Sequence, residues 1–212
     1  MRRAFVFSLL MLFASATLGE AQTSAGSGDA GGAIDVEPLL AVGASEWMVT
    51  AGPAFGAVVA HSAPGHNYFR SSVSWGRVLS EPWGPGILRG RFEWAIEVVP
   101  FFAQFTPNQT LGAGVTPVTW RWNFDPRGRV APFLEVAGGL LWTGEPVPPQ
   151  TTAANFTAHA SYGIRYFYRP RQAIVIGYLF HHISNGNRLD KNPGVNAHTI
   201  NFGWSVMRPR SR

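Results

Sequence analysis

Residues 91–98 read Arg-Phe-Glu-Trp-Ala-Ile-Glu-Val. In an extended chain successive side chains point to opposite faces, so Phe92, Trp94, Ile96 and Val98 share one face while Arg91, Glu93, Ala95 and Glu97 share the other. One face is oily and the other charged, the pattern of a strand between two unlike environments. The same period recurs along the chain. Ile200, Phe202, Trp204 and Val206 alternate with Thr199, Asn201, Gly203 and Ser205; Tyr162, Ile164 and Tyr166 oppose His159, Ser161 and Arg165; Val118, Trp120, Trp122 and Phe124 oppose Thr119, Arg121 and Asn123. Eight such segments, at about 45–57, 66–78, 89–100, 112–124, 129–142, 156–167, 172–183 and 196–207, are separated by Gly, Pro, Asn and Asp, the residues that make turns.

A soluble β-sandwich also alternates, so the polar face has to decide. A sandwich bathes that face in water, whereas here it carries Gly, Ser and Thr, with Arg70, Arg91, Arg121 and Arg165 set against Glu93, Glu97 and Glu135. Charges of both signs among small residues suit a narrow interior in which each charge must find a partner. A buried salt-bridge network is therefore the expectation for these groups, in preference to a paired-carboxylate active site. The 8 Trp and 5 Tyr, several near segment ends, fit interfacial girdles. The expected fold is all-β: an eight-stranded antiparallel transmembrane β-barrel of the bacterial outer membrane. Tight connections at 125–128 and 168–171 belong at the periplasmic end, and long ones at 101–111, 143–155 and 184–195 at the outer end. The connection at 79–88 is long on the inner side and breaks the pattern.

Residues 1–21 begin with Arg2 and Arg3, continue as an apolar run and end on small residues, which reads as a secretory signal. A flexible leader is expected over 22–40, most clearly in the Gly/Ser/Ala-rich stretch 22–33, and one barrel domain over 41–212. The formal charge is +5 with 17 Lys and Arg that are scattered along the chain, so a nucleic-acid partner is not expected. With no cysteine, disulfides and thiolate metal sites are excluded.

Chemistry concentrates where the seventh segment ends, in Tyr178 to His198, YLFHHISNGNRLDKNPGVNAH. The outward row Ile174, Ile176, Tyr178, Phe180 continues to His182 and Ser184, so both are expected to face lipid. Asn196 and His198 extend the outward row of the eighth segment and return beside His182. A histidine two residues from a serine on one strand face has the spacing for a base that activates a hydroxyl. The plainer reading is a pair of interfacial histidines followed by a Ser-Asn-Gly turn. Parity sets His181 opposite His182 and His198, against a metal site. Asn108-Gln-Thr and Asn155-Phe-Thr match a glycosylation pattern that has no meaning in a bacterial envelope.

Residues 182–196, His-Ile-Ser-Asn-Gly-Asn-Arg-Leu-Asp-Lys-Asn-Pro-Gly-Val-Asn, resemble the end of the lipid A 3-O-deacylase (PagL-type) family, outer-membrane barrels that remove an ester-linked acyl chain from lipid A. The matching features are the His-x-Ser-Asn core after an apolar seventh strand, the Asn-Pro-Gly turn and the aromatic strand that follows. The resemblance implies Ser184 as nucleophile, His182 as general base and Asn185 as oxyanion donor, with no cofactor. It implies a substrate, lipid A or lipopolysaccharide, met in the outer leaflet by a membrane-embedded monomer or homodimer. Arg188 and Lys191 are candidates for lipid phosphates. The family's third member is a glutamate, and this chain has Asn196 there. Three readings stay open: a working Ser-His-Asn site, rescue by Asp190 from the loop, or a structural or adhesive barrel that has lost the reaction. An esterase acting on phospholipid is a further alternative.

Overall fold

The computed structural model describes residues 34–59 and 62–210; the expected signal segment and the first part of the leader lie outside the described residues. Eight antiparallel strands, β1 (Ser45–Gly56), β2 (Asn67–Val78), β3 (Gly90–Thr106), β4 (Thr110–Phe124), β5 (Val130–Thr143), β6 (Ala154–Arg169), β7 (Gln172–Ser184) and β8 (Val195–Arg208), each pair with the next, and β8 pairs with β1 to close a barrel. Closure leaves no open sheet edge, so every strand finds backbone partners on both sides. Among the described residues there is no α-helix.

The period of two is visible in exposure. Along β7, Ala173, Val175, Leu179, His181 and Ile183 are buried while Ile174 and Ile176 are each 46% exposed. Along β8, Ile200, Phe202 and Trp204 look outward and Thr199, Asn201 and Ser205 inward. The outer wall is thus a continuous apolar surface. Of its 8 tryptophans all but Trp142 gather toward the end where the barrel domain begins and finishes: Trp47 lies opposite Trp75, Trp94 opposite Trp120, and Trp83 packs on Trp122 at 4.8 Å. That end is called the terminal rim below, and the other the loop rim.

The interior is a salt-bridge network, as the sequence predicts. Arg165 reaches Glu46 with two parallel bonds of 2.6 Å and Asn123 at 2.9 Å. Arg121 donates to Glu135 at 2.8 Å, Glu46 at 2.9 Å and Glu93 at 2.5 Å. Nearer the loop rim Arg70 pairs with Glu97 at 2.6 Å. Ions out of water need such dense pairing to offset their desolvation. Glu46, the second residue of β1, is a central member that the sequence reading did not single out. Phe133 lies beneath both guanidiniums, 5.5 Å from Arg121 and 4.6 Å from Arg165. Its ring occupies the space beside Gly163, where a Cβ would come within 2.6 Å of it, so only glycine fits.

Three expectations need correction. The stretch 101–111 is not a long loop: β3 runs to Thr106 and β4 starts at Thr110, because a bulge between Val99 and Phe102 shifts the alternation by one residue, after which Phe102 and Gln104 point inward and Phe101 and Phe105 outward. At the loop end Gln104 Oε1 accepts a hydrogen bond from the buried His66 Nδ1–H at 2.9 Å. Residues 34–40 are not a flexible leader. Glu37–Leu40 form a 3-10 turn, and Val36, Leu39 and Leu40 pack with Ala131, Phe167, Ala173 and Met207 as a stopper in the terminal rim. Finally, Arg91 does not join the central network; it pairs with Glu37 of that stopper and with Asp125.

Candidate active site on the outer wall

β7 and β8 meet in a register that sets His182 directly opposite Asn196, and β6 sets Ala158 opposite His182 and Phe156 opposite Ser184. His182, Ser184 and Asn196 all lie on outward rows at the loop rim. Asn196 presents Oδ1 to His182 Nδ1 at 2.8 Å. An amide oxygen can only accept, so Nδ1 carries the proton and donates to it. The lone pair is then on Nε2, the tautomer in which an imidazole takes a proton from a neighbouring hydroxyl.

Among the described residues no hydrogen bond joins Ser184 to His182; the ring's partner is Asn196. The serine closes β7 and is followed by a loop, 185–194, built on left-handed backbone at Gly186, Asn187 and Gly194. Asn185 is fully buried and pins this loop. Its N–H donates to Asn192 Oδ1 at 3.0 Å, its Nδ2 to Lys191 O at 2.9 Å, and its carbonyl accepts from Arg188 Nε at 3.0 Å. The amide expected to serve an oxyanion is therefore engaged inside the loop. Its Oδ1 is buried without a partner.

The other sequence candidates fall into place around this pair. Asp190 is exposed and, among the described residues, forms no ion pair with His182, whose Nδ1 is engaged by Asn196. Arg188 stacks over Phe156 at 5.0 Å and bonds the Ala154 carbonyl, while Lys191 reaches Gln150 at 3.1 Å. Arg188 thus ties the β7–β8 loop to the start of β6, and Lys191 ties it to the β5–β6 loop. His181 faces the interior and bonds the Tyr68 hydroxyl at 2.6 Å, so the three histidines do not converge. His198 lies opposite Phe180, one outward step from His182, and bonds the Tyr178 hydroxyl at 2.5 Å.

Two contacts escaped the sequence reading. Gly194 sits against the imidazole: a Cβ there would be 2.9 Å from His182 Cε1. Phe156 is beside Ser184 and fills the space next to Gly186, where a Cβ would be 2.9 Å from its ring. The Asn-Pro-Gly turn hinted at the first. The second depends on the β6–β7 register, which no local pattern discloses.

Residues 68–205 match the family model described as Lipid A 3-O-deacylase (PagL). No curated protein matches the chain. Among solved structures, the outer membrane enzyme PagL is similar with a TM-score of 0.53 at 12% identity, covering 74% of this chain and 97% of that one. Neisserial surface protein A is similar with a TM-score of 0.53 at 13% identity, covering 77% and 96%. At such identities these likenesses speak for the fold, the closed eight-stranded barrel of outer-membrane proteins.

Proposed function

The chain belongs to the lipid A 3-O-deacylase (PagL) family, and from that premise we propose that it is an outer-membrane serine esterase that removes an ester-linked acyl chain from lipid A. The loop rim faces outward, and the substrate approaches along the wall from the outer leaflet. Its acyl chain stays in hydrocarbon throughout, which spares the cost of drawing apolar surface through water.

Ser184 Oγ attacks the ester carbonyl while His182 Nε2 takes its proton. Collapse of the tetrahedral intermediate breaks the bond to the sugar oxygen, which receives that proton from His182. Water, activated by the same nitrogen, then releases the fatty acid from Ser184. The hydroxyl turns toward Nε2 when the ester is seated, since catalytic hydrogen bonds tighten in the substrate complex. Asn196 holds the ring in the required tautomer but supplies no charge to the imidazolium, so turnover is slower than a carboxylate would allow. For Asn185 to steady the oxyanion, its Nδ2 has to leave the Lys191 carbonyl. Arg188 and Lys191 meet lipid phosphates on the same condition, by exchanging their loop contacts for the ligand.

The observation that carries this reading is the 2.8 Å bond between His182 and Asn196 on the lipid-facing wall, two strand positions from Ser184. The test is mass spectrometry of lipid A from cells with and without the protein, repeated with His182→Gln: the reading expects loss of one acyl chain with the wild type and none with the variant. Unchanged lipid A alongside a folded wild-type barrel favours the non-catalytic reading, for which the missing carboxylate and the unbonded serine speak. Hydrolysis of phospholipid in place of lipid A would move the substrate and keep the chemistry.

A further inference from the structure

On the outward row of β8, Ile200 is 48% exposed and Phe202 58%, whereas Asn196 is 8%. Something covers that end of the row. Beside that end of the row, across the β1–β8 seam, lies the chain leaving β1. The ladder reaches Gly56 opposite Ala197, and the chain leaving β1 carries it further: Ala57 N–H donates to Asn196 O at 2.7 Å, and Ala63 N–H donates to Gly194 O at 2.8 Å. Between them, Ser62 Oγ–H donates to Val59 O at 2.6 Å while Val59 N–H donates to Ser62 Oγ at 3.2 Å.

Asn196 and Gly194 both stand beside the His182 ring, one bonding Nδ1 through Oδ1 and the other placed where a Cβ would come within 2.9 Å of Cε1. Both are thus held from behind by backbone donors of a segment far away in sequence. The seam is also weak just below. Its pairing runs to Ala51 opposite Phe202 and resumes only at Ala54 opposite Thr199, across Pro53, which has no N–H to give. The run that fixes the histidine is short, and the two bonds from Ala57 and Ala63 extend it.

We propose that Ala57 and Ala63 are positioning residues for the esterase site: their backbone N–H groups clamp Asn196 and Gly194, and through them hold the His182 imidazole in its Nδ1–H tautomer. The inference rests on the reading of Ser184 and His182 as the reacting pair. It makes catalytic competence depend on closure of the seam, because an open β1–β8 edge leaves Asn196 without its cover.

The test uses the folded full barrel in detergent with nitrogen-15 histidine, its His182 signals assigned by comparison with His182→Gln. Ala57→Pro removes one donor and leaves Gly56 extended, as the residue before proline prefers. Ala63→Pro removes the other ahead of Pro64 and serves if the first variant does not fold. The wild type shows a single Nδ1–H tautomer, and either proline variant shows exchange between tautomers, as Asn196→Ala does. The proline variants lose about tenfold to a hundredfold in kcat at nearly constant KM, the scale expected for a misplaced catalytic group. Placed on Asn196→Ala, Ala57→Pro costs nothing more, since the clamp acts through that amide. An unaltered His182 spectrum in a folded proline variant overturns the proposal, as do losses that multiply in the double variant. If the wild type has no esterase turnover while its tautomer responds as stated, the catalytic reading fails and the clamp stands.

Discussion

Replacing Asn196 by aspartate tests what the missing carboxylate costs. The two side chains have the same shape, so the 2.8 Å approach to His182 Nδ1 is preserved and only the charge changes. A hydrogen bond between neutral groups contributes about 0.5–1.5 kcal/mol, and one to a charged group about 1.5–3 kcal/mol. When His182 accepts the serine proton, the bond in the variant joins two ions, a gain of about 1–1.5 kcal/mol in the transition state over the wild type. That corresponds to about a tenfold rise in kcat. Asn196 is 8% exposed, so the carboxylate is desolvated in the resting and the transition state alike, a cost that falls on barrel stability and leaves the gain in kcat in place. Fatty acid release from purified lipid A in mixed micelles gives kcat for wild type, Asn196→Asp, Asn196→Glu and Asn196→Ala. The expected order is Asp above wild type and wild type above Ala, with Glu above wild type if its extra methylene is accommodated. A folded Asn196→Asp barrel slower than the wild type would refute the assignment of Asn196 to the orienting position.

Gly194→Ala should cut kcat sharply while the barrel still folds, since a Cβ there would stand 2.9 Å from His182 Cε1, and the left-handed φ of 64° costs stability only about 1–2 kcal/mol; steady-state kinetics beside heat-shift electrophoresis reads both. Glu46→Ala strips Arg165 of two bonds and Arg121 of one, and a broken buried pair costs about 3–5 kcal/mol, to be seen as a lower urea midpoint in vesicles. Leu40→Asp puts a charge into the stopper packed on Phe167 and Met207, and the expected outcome is a destabilised terminal rim with faster proteolysis near residue 40. His198→Phe, which removes the bond to Tyr178 but touches neither His182 nor Ser184, should leave kcat within about twofold, as substitutions outside the reacting network do.

The fold was legible because a barrel states itself locally. Alternation in 91–98 or 199–206 assigns each side chain to wall or interior without knowledge of any other strand, and the inward Arg and Glu follow from it. What alternation does not carry is register across strands. That is why Glu46 was missed as the shared acceptor of Arg121 and Arg165, and why the stretch after residue 100 looked like a loop: a bulge between Val99 and Phe102 shifts the inward row from odd to even positions, so Phe102 and Gln104 fall out of the period that precedes them. The leader was misjudged at its end for a related reason: Val36, Leu39 and Leu40 are too few to announce an element, and only the open rim between Ala131, Phe167 and Met207 gives them something to bury against. Of the site, the outward placement of His182, Ser184 and Asn196 could be read from parity. The engagement of Asn185 within its own loop could not, because it depends on how residues 185–194 fold back on themselves. The hold that Ala57 and Ala63 exert depends on the meeting of β1 and β8, the most distant pairing in the chain.

The central claim is that Ser184 on the lipid-facing wall is the nucleophile. Purified wild-type barrel and Ser184→Ala, both shown folded by their heat shift, are incubated with lipid A in micelles and the products weighed by mass spectrometry. The account predicts a lipid A lighter by one acyl chain, with the free fatty acid, from the wild type and intact lipid A from the variant. The same deacylated product from Ser184→Ala would contradict it.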